Sequence, residues 1–135
     1  LEPKLTVSGG IVSTAGITPD TRYPWGQCTW WAATRRADIG KPIPGWGNAA
    51  TWAGSAASAG YTVDGSPSAG SVIVFQPGVL GASADYGHVA MVEEVRGDGS
   101  ILISESNALG LGVVSTREIS ASQLAAAGNG VRYIH

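Results

Sequence analysis

Charge is scarce in this chain, and neither sign dominates. Only 13% of the 135 residues are Asp, Glu, Lys or Arg, and 8 basic against 10 acidic side chains give a formal net charge of −2. No run of Lys and Arg is present, which argues against a nucleic-acid-binding surface, where basic side chains cluster. Low charge with plentiful small residues is common in secreted bacterial proteins.

Long hydrophobic runs are also missing. No stretch approaches the ~20 apolar residues of a membrane-spanning helix. The first five residues lack the charged-then-apolar order of a signal peptide, so we expect a mature protein or an excised domain. A chain of 135 residues is long enough for one domain with its own core.

The single cysteine, Cys28, excludes an internal disulfide. Its thiol can then be inert packing, a metal ligand or a nucleophile, and packing is the default for a free cysteine. A zinc site needs three or four ligands. One cysteine and two histidines, His88 and His135, without paired spacing predict no metal site.

Cys28 lies at the start of the first predicted helix. Tyr23-Pro24-Trp25-Gly26 is a turn signal, and a helix is predicted over 27–37, with two arginines in its last turn and a glycine beyond it. The free N–H groups and dipole of a helix start favour a thiolate. This placement resembles that of papain-like enzymes, although packing remains open at this point.

The rest of the chain predicts an α+β protein. Residues 1–20 predict an extended lead-in, at most a short strand or an ordered tail, with turn signals at Gly9-Gly10 and Thr18-Pro19-Asp20. Later elements are a helix over 49–59, strands over 71–75, 88–95, 101–105 and 112–120, a helix over 121–127 and a strand over 131–134. Helices followed by antiparallel strands are typical of α+β folds.

His88 is the candidate general base. A lone histidine at a strand start is more often a polar surface or satisfied core residue, but His135 is a poorer competitor at the chain end. Gly87 before it indicates close approach of the backbone to another group. A catalytic histidine also needs a third group that fixes its tautomer.

The hairpin that follows His88 offers such a group. A two-residue turn on Gly97-Asp98 places Asn107 opposite His88, with Glu105 on the same face, and a shift of the turn by one residue keeps that grouping. A three-residue bulged loop would reverse the parity and separate them. Two of three registers therefore gather a carboxylate and an amide beside His88.

Five motifs follow one another along the chain: Tyr23-Pro24-Trp25-Gly26-Gln27-Cys28-Thr29-Trp30-Trp31, Trp46-Gly47-Asn48-Ala49 with Trp52-Ala53, Gly87-His88-Val89-Ala90-Met91-Val92, Gly97-Asp98-Gly99-Ser100 and Ser104-Glu105-Ser106-Asn107. Together they resemble the CHAP domain, the cysteine- and histidine-dependent amidohydrolase/peptidase family of bacterial and phage peptidoglycan hydrolases. The match runs in the family's order from about residue 23 to 134. We therefore divide the chain into an N-terminal extension, 1–22, and a CHAP catalytic domain, 23–135.

The resemblance implies a papain-like fold of the NlpC/P60-type superfamily, with N-terminal helices packed on an antiparallel β-sheet. It implies that Cys28 is the nucleophile and His88 the general base. Glu105 matches the acid that orients the histidine, and Asn107 matches the neighbouring amide. Some phage members bind calcium through an acidic loop ahead of the cysteine, but only Asp20 is acidic here, so no calcium and no other cofactor is predicted.

The implied activity is hydrolysis of an amide bond in peptidoglycan through an acyl-enzyme on Cys28, by an N-acetylmuramoyl-L-alanine amidase or a peptide endopeptidase. The oxyanion would be held by the Cys28 N–H and the Gln27 side chain. Two alternatives are a Cys–His acyltransferase or transglutaminase-like enzyme, and a non-catalytic wall-binding or assembly domain. Among the aromatic residues, three tryptophans on helices are predicted to be core, whereas Trp25, Trp46 and Tyr86 are candidates for a substrate groove.

The expected partner is peptidoglycan, with no nucleic acid and no membrane span. We expect a monomer, either alone or within a larger multidomain protein. The expected location is extracellular or associated with the bacterial cell wall, or else in a phage- or conjugation-associated lytic component.

Overall fold

A computed structural model describes residues 1–135, and its backbone is organised around one antiparallel sheet. The eight strands lie in the order β1-β2-β7-β6-β5-β4-β8-β3. The strands are β1 Thr6–Ser8, β2 Ile11–Ser13, β3 Val63–Asp64, β4 Val72–Phe75, β5 His88–Val95, β6 Ile101–Ser106, β7 Val114–Ile119 and β8 Val131–Ile134. The helices are α1 Cys28–Asp38, α2 Trp52–Ser58 and α3 Ala121–Ala127, with short 3₁₀ turns at Ala49–Thr51, Val79–Gly81 and Gly128–Gly130. The α+β fold class predicted from the sequence is confirmed.

The central strands are buried on both faces. In β4, Val72 and Val74 pack in the cluster formed with α1 and α2, whereas Ile73 and Phe75 pack in a second cluster beside α3. A strand covered on both sides needs apolar residues throughout, which explains the unbroken Val-Ile-Val-Phe run. None of the helices combines the length and the apolar character that a membrane crossing requires.

The N-terminal residues form a hairpin that belongs to the sheet. Strands β1 and β2 pair around the predicted Gly9-Gly10 turn, and Ile11 pairs with Ser115 of β7. The side chain of Val12 is buried in the same cluster as α1. Residues 1–20 are therefore more ordered than the predicted lead-in, and the sheet continues across the proposed domain boundary at residue 22.

The β5–β6 hairpin differs from the predicted turn but keeps the predicted register at its open end. Its loop is a three-residue turn, closed by a 2.9 Å hydrogen bond from the Arg96 N–H to the Ser100 carbonyl. The longer loop shifts the strand pairing by one residue from the predicted register. A β-bulge between Val92 and Glu94 then shifts it back, so that Met91 pairs with Ser104. The expectation that a three-residue loop would separate the histidine from its partners was wrong, because the bulge restores the parity.

A buried polar network fixes α1 against the sheet. Arg35 donates to both carboxylate oxygens of Glu93, at 3.1 and 2.8 Å, and to Asp38. The Ser104 hydroxyl donates to Glu93 and accepts from the Trp31 indole, each at 2.9 Å. Because buried charges are stable only when fully paired, this network sets the position of α1 over β5 and β6.

Candidate active site

The first residue of α1, Cys28, is held beside the end of β6. The carbonyl of Gly26 accepts from the Ser106 hydroxyl at 2.7 Å and from the Gly112 N–H at 3.1 Å. A Cβ at Gly26, where φ is +83°, would lie 2.7 Å from the Gly112 nitrogen, so this approach requires glycine. The turn before Cys28 therefore docks the helix start against the strand that carries Glu105.

His88 begins β5 and is held between its neighbours. It pairs with Phe75 of the neighbouring strand β4, and the centres of the two rings lie 5.5 Å apart. A Cβ at Gly87 would lie 2.5 Å from the Phe75 carbonyl oxygen, which explains the glycine before the histidine. The Nε2–H of His88 donates to Glu105 Oε1 at 2.9 Å, which leaves Nδ1 available to the Cys28 thiol, whose charge interacts with that of His88.

The carboxylate of Glu105 has a second partner that sequence reasoning missed. Arg117 of β7 donates to both of its oxygens, at 2.9 and 3.0 Å, and also donates to the Leu80 carbonyl at 2.8 Å. Arg117 pairs with Ile103 on a face of the sheet that is apolar apart from the site residues His88 and Glu105. An arginine among buried apolar side chains needs a carboxylate partner nearby. Its position in β7 could therefore have identified Arg117 as a partner of Glu105 from the sequence.

The charges of the three groups stabilise one another. Burial alone would raise the pKa of the Cys28 thiol, but its hydrogen bond and charge interaction with His88 bring that pKa below its usual value. Burial would likewise lower the pKa of His88, but Cys28 and Glu105 raise it to about 9. Burial would raise the pKa of Glu105, whereas His88 and Arg117 hold it below its usual range. The site therefore favours a thiolate, an imidazolium and a carboxylate.

The Asn107 side chain contacts Gln27 rather than the histidine. Its amide nitrogen donates to Gln27 Oε1 at 3.1 Å, whereas Glu105 alone orients His88. This contact leaves the Gln27 amide N–H groups free of Asn107. Asn107 has a φ of +66°, and asparagine tolerates this left-handed conformation better than most residues.

Two adjoining clefts open at Cys28. One, of about 570 Å³, is lined by His88, Glu105 and Arg117 among others. The second, of about 460 Å³, is lined by residues that include Tyr23 and Asn48. Gln27, Cys28, Tyr86 and Gly87 line both clefts, so the thiol is accessible from a continuous groove.

The three groove candidates lie in different surroundings. Tyr86 is 60% exposed and lines both clefts. Trp46 is a correction, because it is only 8% exposed, packs 5.6 Å from Trp52 and lines neither cleft. Trp25 is 61% exposed but also lines neither cleft, and its ring packs against Gly112, where a Cβ would lie 2.2 Å away.

The second histidine, His135, forms a similar chain of hydrogen bonds elsewhere. Its Nδ1 lies 2.7 Å from the Ser68 hydroxyl, and its Nε2 donates to Asp64 at 2.8 Å. None of these three residues lines either cleft at Cys28. No group of three or more His, Cys, Asp or Glu side chains is arranged to hold a metal ion.

The geometry around Cys28 is suited to nucleophilic attack on a carbonyl. The thiol lies at a helix start, where unpaired N–H groups favour negative charge. An oriented histidine lies beside it, and the groove leaves room for a substrate on both sides. These features allow acyl transfer from an amide or ester to the thiol.

Comparison with known proteins identifies the family. The family model of the CHAP domain matches residues 18–107. N-acetylmuramoyl-L-alanine amidase sle1 of Staphylococcus aureus is 40% identical, over 98% of this chain and 41% of that protein. The probable autolysin SsaALP of S. aureus is 54% identical over 63% of this chain and 30% of that protein. This chain thus spans less than half the length of these relatives.

Solved structures give the same result. The crystal structure of an N-acetylmuramoyl-L-alanine amidase from S. aureus matches with a TM-score of 0.78 and 41% identity, over 85% of this chain and 31% of that chain. The crystal structure of Ly7917 has the same fold, with a TM-score of 0.56 at 24% identity over 81% of this chain and 52% of that chain. The resemblance found in the sequence is confirmed, and the chain belongs to the CHAP domain family.

Proposed function

We propose that this chain is the catalytic domain of a peptidoglycan hydrolase and that Cys28 is its nucleophile. One observation carries the proposal: Cys28, His88 and Glu105 line one cleft, with His88 hydrogen-bonded to Glu105 and its charge interacting with the thiol, and the groove continues past the thiol. Names of relatives support the substrate, since two of them are an N-acetylmuramoyl-L-alanine amidase and a probable autolysin.

The reaction proceeds in two stages. The Cys28 thiolate attacks the amide carbonyl carbon, and the carbonyl oxygen takes the negative charge. The imidazolium of His88 donates its proton to the departing nitrogen, so the C–N bond breaks and a thioester remains. His88, now neutral, accepts a proton from water, which attacks the thioester carbonyl and releases the acid and the thiolate.

Glu105 orients the imidazole throughout these steps. Its Oε1 accepts from Nε2–H, so Nδ1 carries the proton that moves between thiol, leaving group and water. The carboxylate also stabilises the imidazolium that is present before attack and after deacylation.

Gln27 and the Cys28 N–H form the proposed oxyanion site. The backbone N–H of Cys28 lies at the helix start, where it has no partner within the helix. Asn107 holds the oxygen end of the Gln27 amide at 3.1 Å, which fixes the amide with its N–H groups available to the cleft. We assign Asn107 to orientation of Gln27. Tyr86, exposed at the junction of the clefts, is the proposed contact for the bound peptide.

We propose the bond between N-acetylmuramic acid and L-alanine as the scissile amide, on the ground of the amidase names of the relatives. The protein would act as a monomer on the cell wall, outside the cell. Mass analysis of fragments released from purified peptidoglycan tests the hydrolase activity and the assigned bond, with Cys28→Ala as the matched inactive control. An amidase releases peptides with a free N-terminal alanine and leaves peptide-free glycan. New amino groups inside the peptide would instead identify an endopeptidase.

A further inference from the structure

Arg117 is held by four contacts, and three of them join it to the walls of the cleft. Its fork binds both oxygens of Glu105, and the remaining donor nitrogen, Nη1, binds the Leu80 carbonyl. Its guanidinium also lies 5.5 Å from the Phe75 ring, which on the same sheet lies 5.5 Å from the His88 ring. A bidentate arginine pair fixes orientation as well as charge.

The Glu105 carboxylate depends on this fork for its place. Its side chain is only 3% exposed, so water contributes little to holding it. His88 donates one hydrogen bond to Oε1, and Arg117 donates the other two bonds that Glu105 accepts from side chains. Without the guanidinium, the carboxylate would be free to rotate about its terminal bonds and leave the His88 Nε2–H.

The same guanidinium supports the part of the cleft wall formed by the turn after β4. Leu80 lies in the 3₁₀ turn after β4 with φ 49° and ψ 40°, a left-handed conformation that is unusual for leucine. Its carbonyl is directed at Arg117, and its side chain lines the cleft. Arg117 therefore contacts both the catalytic carboxylate and the loop that forms this wall.

We propose that Arg117 is a positioning residue, which keeps the Glu105 carboxylate on the His88 imidazole and holds the Leu80 turn in place beside it. This inference rests on the proposed function, because it requires that the Cys28–His88 pair performs the chemistry. Arg117 acts through Glu105 and need not touch the reacting atoms.

Charge and geometry predict opposite shifts when Arg117 is removed. Arg117 is a positive charge near the imidazolium, so loss of its charge alone would stabilise the imidazolium and raise the pKa of His88. Loss of the fork lets Glu105 move away, which removes a stabilising partner and lowers the pKa of His88 from about 9. The positioning proposal therefore predicts that the alkaline limb of activity moves to lower pH in Arg117→Ala.

A double-mutant cycle between Arg117 and Glu105 provides the test. We expect Arg117→Ala to lower kcat by up to ~10²-fold through misplacement, with KM on solubilised peptidoglycan fragments nearly unchanged. In a Glu105→Ala background the same change should cost almost nothing further, because no carboxylate remains to be positioned. Arg117→Lys should recover part of kcat, since it keeps the charge and one of the contacts. Independent, multiplicative losses, a rise in KM alone, or an alkaline limb that moves upward would overturn the proposal.

Two further measurements keep this result interpretable. Alkylation of Cys28 by iodoacetamide, followed across pH, reports the thiolate–imidazolium pair without any peptidoglycan, and Cys28 is the only cysteine in the chain. A shifted alkylation profile in Arg117→Ala supports the positioning role whether or not the protein digests cell walls. Failure of the native protein to digest cell walls would count against the proposed function and not against the positioning role. Arg96→Ala is the matched control, because Arg96 also pairs with a carboxylate on β7, Glu118, but on the exposed surface. An alkylation profile that is unchanged in a folded Arg117→Ala protein would contradict the inference.

Discussion

The two histidines of this chain have nearly the same types of polar partner in two very different places. Each has a hydroxyl or thiol as one partner and donates from Nε2 to a carboxylate. The partners are Cys28 and Glu105 for His88, and Ser68 and Asp64 for His135. By these partners alone, both would qualify as catalytic triads.

What separates them is the surroundings of each member. The Glu105 side chain is 3% exposed and accepts two hydrogen bonds from Arg117, whereas the Asp64 side chain is 44% exposed. Cys28 begins a helix and lines two clefts, whereas Ser68 lies in a loop before β4 and lines neither. A triad of side chains becomes a plausible catalyst only with an ionisable nucleophile, donors for an oxyanion and room for a substrate.

The largest difference between the two triads is expected at Cys28 and its counterpart Ser68. Cys28→Ala should reduce hydrolysis of purified peptidoglycan by at least ~10⁴-fold, because it removes the atom that forms the acyl-enzyme. Ser68→Ala, the counterpart in the other triad, should leave the rate unchanged. Turbidity loss of a peptidoglycan suspension measures both. Equal losses in the two variants would show that the second triad takes part in catalysis, and clearing by Cys28→Ala would refute the assigned nucleophile.

The next largest difference is expected between substitutions of the two carboxylates, Glu105 and Asp64, in both the rate and its pH profile. Activity of the native protein should be bell-shaped, with an acid limb from Cys28, whose pKa is lowered, and an alkaline limb near the His88 pKa of about 9. Glu105→Gln should lower kcat by ~10²-fold or more and move the alkaline limb to lower pH, because the imidazolium loses a stabilising charge. The rate and both limbs should be unaffected by Asp64→Asn. An alkaline limb that stays in place in Glu105→Gln would show that another group sets it.

A smaller effect is expected at the oxyanion site, which the second triad lacks. Gln27→Ala should lower kcat by ~10²-fold if its amide donates to the oxyanion. Gln27→Glu is the matched test, because it keeps the oxygen that accepts from Asn107 but replaces the donor, and it should be at least as damaging. Asn107→Ala should cost less and add little to Gln27→Ala, since it acts through the same amide. Unchanged turnover in Gln27→Ala would remove this residue from the mechanism.

The elements that carry the proposed catalytic residues could be predicted because their signals are local. Strand β5 has the bounds that its apolar run predicts, and α1 begins within one residue of its predicted start. The two-residue edge strand β3 pairs only with β8 near the end of the chain, so nothing in its own sequence fixes it. The register predicted for the hairpin near His88 agrees with the structure for a reason that the sequence did not indicate, because a bulge offsets the longer loop.

Long-range contacts account for what the sequence did not indicate in the site. Arg117 meets Glu105 only through the β6–β7 pairing, and no local motif encodes that register. Trp46 has glycine on both sides, which is typical of a loop, yet Tyr23 accepts its backbone N–H at 2.7 Å and Trp52 covers its ring. Exposure of an aromatic side chain depends on such tertiary neighbours and not on the residues beside it.

The smallest effects should appear in stability, where the two triads fail at opposite ends of the pH scale. Burial lowers the pKa of His88, but its partners raise it to about 9 from the usual 6.5, so its contribution is complete below pH 6.5 and is lost as pH rises through about 9. The hydrogen bond from His135 lowers the pKa of Asp64 from its usual 3.8, so its contribution is present above that value and is lost as pH falls. Urea unfolding across pH should therefore show Asp64→Asn to be slightly less stable than the native protein at neutral pH, with the difference vanishing in acid. A difference that persists in acid would mean that the exposed triad stabilises the chain end through packing and not through the charge of its carboxylate.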